Sequence, residues 1–161
     1  MKKAFNIKKN KKEKSKWLGV YKFTLKNIET GEERVIVKKN LLPTAGRAFI
    51  AARIANVGSP QDIKVNYSAV GTGATAPANA DTQLQTETFR KAVASASSSN
   101  NIAYLTAFYT ASEAVGTINE VGLFINGTST ANTGTLFSRV AVSITKSAIE
   151  TLTIDYSITL N

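Results

Sequence analysis

The most regular stretch of the chain is its last. Leu152, Ile154, Tyr156, Ile158 and Leu160 alternate with Thr151, Thr153, Asp155, Ser157 and Thr159, the period-two pattern of a strand with one buried face. At ~3.3 Å per residue this strand runs roughly 33 Å, and five apolar side chains on one side of it demand a facing layer. The same alternation opens the foldable part of the chain. Tyr21, Phe23 and Leu25 interleave with Lys22, Thr24 and Lys26, Glu29-Thr30-Gly31-Glu32 reads as a turn, and Val35-Ile36-Val37 returns as the second strand of a hairpin.

Between these ends the pattern switches period once. After Pro43, with Thr44 as the helix cap, Phe49, Ile50, Ile54 and Val57 recur at helical spacing until Gly58-Ser59-Pro60 stops them. Strand-like runs then resume at 63–70, 89–96, 102–109, 118–125 and 136–144. The segments between them are rich in Gly, Asn and Ser. Ser97-Ser98-Ser99-Asn100-Asn101 reads as a connection, Asn126-Gly127 as a turn, and 81–87 as a polar link of about one helical turn with Asp81 as its cap. Short strands at regular spacing predict a mainly β fold: an antiparallel β-sandwich with one short helix. With 161 residues, one domain over 17–161 preceded by an arm over 1–16 is the natural organisation.

Charge sets the arm apart. Lys2, Lys3, Lys8, Lys9, Lys11, Lys12, Lys14 and Lys16, with Glu13 as the lone acid, give residues 1–16 a charge of +7 out of +9 for the whole chain. The remaining residues carry only +2. Such a block repels itself and reads as a disordered or extended interaction tail. It can grip nucleic acid through phosphate counterion release, dock into an acidic groove of a protein partner, or stay solvated. With no arginine and only Phe5 as an aromatic, it is poorly equipped for base readout or stacking.

Candidate chemistry is sparse. Histidine and cysteine are absent, which removes the usual general base, thiol nucleophiles, disulfides and most transition-metal ligands. No cofactor is implied. Gly71-Thr72-Gly73 lacks the Lys-Ser/Thr that would close a phosphate loop, and Pro77 stands where its helix would start, so it reads as a turn. The carboxylates Asp81, Glu87, Glu120 and Asp155 do not fall at calcium-loop spacing. Glu120 stands out because it lies in an apolar strand beside Val121, Leu123 and Phe124. A buried carboxylate needs a cation, and Arg90 and Arg139 are the available ones on neighbouring strands, so a structural ion pair is favoured over a catalytic role. Lys146-Ser147 has no supporting motif for nucleophilic chemistry. Asn66-Tyr67-Ser68 and Asn126-Gly127-Thr128 match glycosylation acceptors but read as turns. No apolar run approaches the ~20 residues of a membrane span, and the basic start has no hydrophobic segment to make it a secretion signal.

One ordered set of motifs carries a resemblance. Asn40-Leu41-Leu42, Gly46-Arg47, Gly71-Thr72-Gly73, Pro77, Asp81-Thr82, Leu84, Glu87 and Arg90 come first. Ile118-Asn119-Glu120-Val121-Gly122-Leu123-Phe124, Gly134-Thr135-Leu136-Phe137-Ser138-Arg139, Lys146 and the long closing strand follow. In this order, over 17–161, the chain resembles small virion proteins of tailed bacteriophages, of the tail, baseplate and fibre-attachment kind. The resemblance implies a non-enzymatic, oligomeric structural component of a virion, made in the host cytoplasm and bound to other virion proteins. The lysine arm lies outside the pattern, which keeps a capsid-decorating role open. From another class, a sequence-independent nucleic-acid-binding protein fits the arm, and a carbohydrate-binding domain fits a sandwich. Trp17 is the only tryptophan for such a domain, although tyrosines can take its place.

Overall fold

The computed structural model describes residues 17–55 and 64–160, in which nine strands and one helix are present. The lysine arm, the helix positions from residue 56 on and the expected stop at Gly58-Ser59-Pro60 lie outside the described residues, as does Ile63.

The fold is an antiparallel β-sandwich. Strands β1 (Trp17–Asn27) and β2 (Glu33–Lys39) form the expected hairpin, and β1 pairs along its other edge with the final strand β9 (Glu150–Leu160). Strands β5 (Ser95–Ser99) and β6 (Ile102–Tyr109) complete a sheet ordered β2-β1-β9-β6-β5. The facing sheet is ordered β4-β3-β7-β8 and is built from β3 (Val65–Gly71), β4 (Glu87–Ala92), β7 (Gly116–Ile125) and β8 (Thr135–Lys146).

The core between the sheets comes directly from the alternation. Tyr21, Phe23 and Leu25 of β1 and Leu152, Ile154, Tyr156 and Ile158 of β9 pack against Val70, Ile118, Val121, Leu123, Ile125, Val140 and Ile144 of the second sheet. Leu160, the fifth apolar residue of the closing alternation, is instead 46% exposed because it sits at the strand's end, beyond the facing layer. Phenols cross this core as polar ties. Tyr21 Oη donates to Ser138 Oγ at 2.9 Å, and Tyr109 Oη donates to Ser68 at 3.0 Å. Asn40 Nδ2 binds Ser138 Oγ and the Tyr156 hydroxyl. Burial pushes the pKa of all three phenols up, since a phenolate there would lose its hydration.

The run Val121–Ile125 is buried at every position because both faces of β7 are covered. Val121, Leu123 and Ile125 face the main core. Phe124 faces outward into a second cluster with Ala69, Leu136 and Leu84, the last delivered by the loop over 72–86. That loop roofs the second sheet. The outer face of the first sheet has no comparable roof among the described residues.

Helix α1 (Thr44–Ile54) begins where the cap was expected and lies on β8. Phe49 and Ile50 pack partly against the core, but Ile54 is 79% exposed. The contact is close enough that a Cβ on Gly46 would stand 2.5 Å from the Phe137 carbonyl oxygen.

Four expectations are corrected. Residues 81–87 form no helical turn; 81–86 run as an irregular segment held by side-chain bonds described below, and Glu87 opens β4. The run expected as one strand over 89–96 is two strands in different sheets. The Val93 N–H donates to Asn66 of the second sheet, and the next residue, Ala94, donates to Thr106 of the first. Ser97–Ser99, expected as a connection, are strand, and the turn is confined to Asn100 and Asn101, with Asn100 at φ 51°. An edge strand needs only backbone pairing on one side, so these small polar residues suffice. Finally, Asn66-Tyr67-Ser68 is not a turn but part of β3. Asn66 accepts from the Gly127 N–H and donates to the Gly127 carbonyl, each at 2.9 Å, clasping the loop between β7 and β8.

Candidate functional site

Among the sequence candidates, the structure brings Glu120 and Arg139 together. Arg139 stands opposite Gly122 on β8, one diagonal step from Glu120 on the same outer face of the sheet, within reach of a long side chain. Their side chains are 0% and 2% exposed, and Arg139 Nη2 lies 2.8 Å from Glu120 Oε2. Arg139 Nε donates to the same oxygen at 3.0 Å.

The rest of the Glu120 carboxylate is taken by backbone. Oε1 accepts from the Thr86 N–H at 2.7 Å and the Gly73 N–H at 3.1 Å, and Oε2 from the Gln85 N–H at 2.9 Å. The glycine-rich loop thus does present an amide to an anion, but the anion is the protein's own. A Cβ on Gly73 would meet Glu120 Oε1 at 2.4 Å, so the loop reaches the carboxylate only with glycine there.

Arg139 reaches the same loop from the other side. Nη1 pairs with Asp81 Oδ2 at 2.6 Å, and Nη2 donates to Thr75 O and Oγ1, both at 3.2 Å. Asp81 also accepts from the Ala78 N–H at 2.8 Å. Its expected capping function is therefore a local turn plus an ion pair. Gln85 closes the base of the loop by accepting from Thr75 N and Oγ1.

Arg90, the other candidate cation, does not reach Glu120. It pairs with Glu87, Nε to Oε1 at 2.6 Å and Nη2 to Oε2 at 2.7 Å, a bidentate geometry. Residues three apart on a regular strand point to opposite faces. Here Val70 pairs with Phe89 and Gly71 with Glu87, so Thr88 is an extra residue, and this bulge restores both side chains to one side. The Arg90 guanidinium lies 4.8 Å from the Phe124 ring centroid and 5.8 Å from that of Tyr67. Its Nη1 donates to the Thr128 and Thr133 carbonyls, while Glu87 accepts from the Asn132 N–H. This second pair fastens the β7–β8 loop as the first fastens 72–86.

Lys146 is a third anchor that the sequence reading did not single out as such. Its side chain is buried, and Nζ donates to the carbonyls of Ala111 at 2.8 Å and Ser147 at 3.4 Å. Burial lowers its pKa, opposed by the charges of Glu150 and Glu113. Position gave no cue, because the carbonyls that hold it belong to turns. Asp155, by contrast, lies on the open outer face of the first sheet, where its Oδ1 accepts from Thr106 Oγ1 at 2.8 Å.

Chemically, these clusters hold loops. Each Glu120 oxygen already accepts from at least two donors, and no atom of it reaches solvent. Among the described residues, no group of three or more His, Cys, Asp or Glu could hold a metal ion, and no helix is long and apolar enough to cross a membrane. The eight arm lysines lie outside the described residues. No family model matches the chain, and no curated protein or solved structure is significantly similar to it.

Proposed function

We propose that the protein is a structural component of a phage virion, oligomeric, placed in the tail, baseplate or fibre-attachment apparatus, with its lysine arm docking on a partner. One observation carries most of the weight. The motif residues that run in phage-like order from position 73 to position 139 meet in one place in the fold. Gly73, Asp81, Leu84, Glu120, Gly122 and Arg139 together fasten the roof over the second sheet. Such a motif preserves a rigid shape, which is what a subunit with repeated contacts needs. The arm's concentrated charge suits docking on an acidic surface.

Labelling this chain in intact particles and imaging them tests the reading. Copies at symmetric positions on the tail or baseplate are expected. Copies on the shell would favour the capsid-decorating alternative, and particles free of the chain would refute a virion role. Converting Lys8, Lys9, Lys11 and Lys12 to Glu is expected to lower incorporation.

The +7 arm also favours one reading of another class, a sequence-independent grip on nucleic acid. That reading requires DNA affinity to fall steeply with salt and to vanish on removal of residues 1–16.

A further inference from the structure

The outer face of the five-stranded sheet sets short polar side chains beside exposed aromatic ones. On the central strand β9, the outward side chains Thr151, Thr153, Asp155, Ser157 and Thr159 are all short. They are flanked by Val20 and Lys22 on β1 and by Tyr104 and Phe108 on β6. In register, Lys22, Asp155 and Thr106 stand side by side across three strands, with Val20, Ser157 and Tyr104 in the next row. The difference in side-chain length leaves a depression of about 280 Å³ lined by these six residues together with Leu105 and Tyr156, just under the usual range of small-ligand sites. Tyr104, in its lining, is 42% exposed, and Phe108, one row beyond the depression, is 40% exposed.

We propose that this depression binds a neutral oligosaccharide. Its chemistry selects that class against the alternatives. Within its lining the Lys22 ammonium and the Asp155 carboxylate cancel in charge, so the depression itself offers a polyanion no net attraction, and phosphates there would face Asp155. A sheet face, unlike an edge, offers an extended peptide no free backbone N–H or C=O. Lys22, Thr106, Asp155 and Ser157 in its lining would lose their water beneath a wholly apolar partner with no hydrogen bond in exchange.

A sugar chain matches each part. Its C–H faces lie on the Tyr104 ring, whose polar hydroxyl stays in water. Its hydroxyls donate to Asp155, which Thr106 orients through the bond to Oδ1, and accept from Lys22. Tyr104 and Phe108 are two same-face steps apart, roughly 13 Å along the strand, so the platform spans more than one sugar ring and fits an oligomer better than a monosaccharide. This inference is independent of the virion role.

The full chain screened on an array of neutral oligosaccharides, followed by calorimetry with the best binder, tests it. Affinity is expected to rise from monosaccharide to oligomer. Tyr104→Ala and Asp155→Asn are each expected to weaken binding about tenfold, the scale of one lost charged hydrogen bond or stacking contact, without lowering the melting temperature. Tyr104→Trp is expected to retain binding. The proposal is overturned if no neutral glycan binds at millimolar concentration, or if neither substitution alters binding. It is also overturned if sedimentation shows that Tyr104→Ala dissociates an oligomer, which would assign the face to a second copy of the chain.

Discussion

Glu120 and Arg139 form an enclosed ion pair across the β7–β8 ladder, 2.8 Å apart, and between them they hold five positions of the loop over 72–86: Gly73, Thr75, Asp81, Gln85 and Thr86. Removing one partner strands the other charge away from water. Glu120→Ala is therefore expected to cost about 3–5 kcal/mol in denaturant unfolding. Glu120→Gln with Arg139→Met leaves neither charge of the enclosed pair stranded, while Asp81, which loses its partner, still reaches water, and the double variant is expected to cost less than Glu120→Ala alone. Hydrogen exchange resolved by residue is expected to show the loss concentrated in 73–86. A uniform rise over all strands would mean that the pair does not serve the loop in particular.

Arg90 offers a different test, because its planar group is used twice, in two bonds to Glu87 and in the stack on Phe124. Lysine keeps the charge and loses both geometries. Arg90→Lys is expected to destabilise by roughly 1–3 kcal/mol, the scale of a buried group left unsatisfied, and to loosen 127–134 in hydrogen exchange. A variant as stable as the parent would show that charge alone suffices there.

Acid sensitivity is expected to centre on the turn between β8 and β9. Glu150 accepts from Ser147 N at 2.7 Å and Arg34 Nε at 3.1 Å. The Ser147 N–H first, then Arg34, hold its carboxyl pKa down to about 2 from the ordinary 4.5. Lys91 lowers Glu113 in the same direction. Between the two values the unfolded chain binds the extra proton, so this contribution is complete above about pH 4.5 and is lost as the pH falls toward 2. Melting temperatures over that window are expected to fall less steeply for Glu150→Gln than for the parent. Parallel curves would contradict the assignment.

Much of the fold was legible in the chain because burial on one face writes itself as alternation. β1, β7, β8 and β9 all follow from their apolar positions. What alternation does not encode is a strand that changes sheets. Nothing in Phe89–Ala96 marks Val93 and Ala94 as the crossing, since the deciding bonds go to Asn66 and Thr106, distant in sequence. The charge cluster was half legible for a similar reason. The apolar setting of Glu120 announced a partner, but choosing between Arg90 and Arg139 required the bulge at Thr88, which turns Arg90 toward Glu87 instead. The loop amides that complete the site come from Gly73, Gln85 and Thr86, whose side chains give no hint of it.

The pairing of β1 with β9 has a mechanical consequence. Trp17 partners Leu160 and Asn27 partners Glu150, eleven rungs in all, so the first and last described strands begin and end side by side. Tension applied between these two ends would pull across the rungs and open them one after another, like a zipper, rather than shear all eleven together. The sandwich is thus weak toward a pull that separates its ends. Anchoring both to the same support would remove that mode of failure.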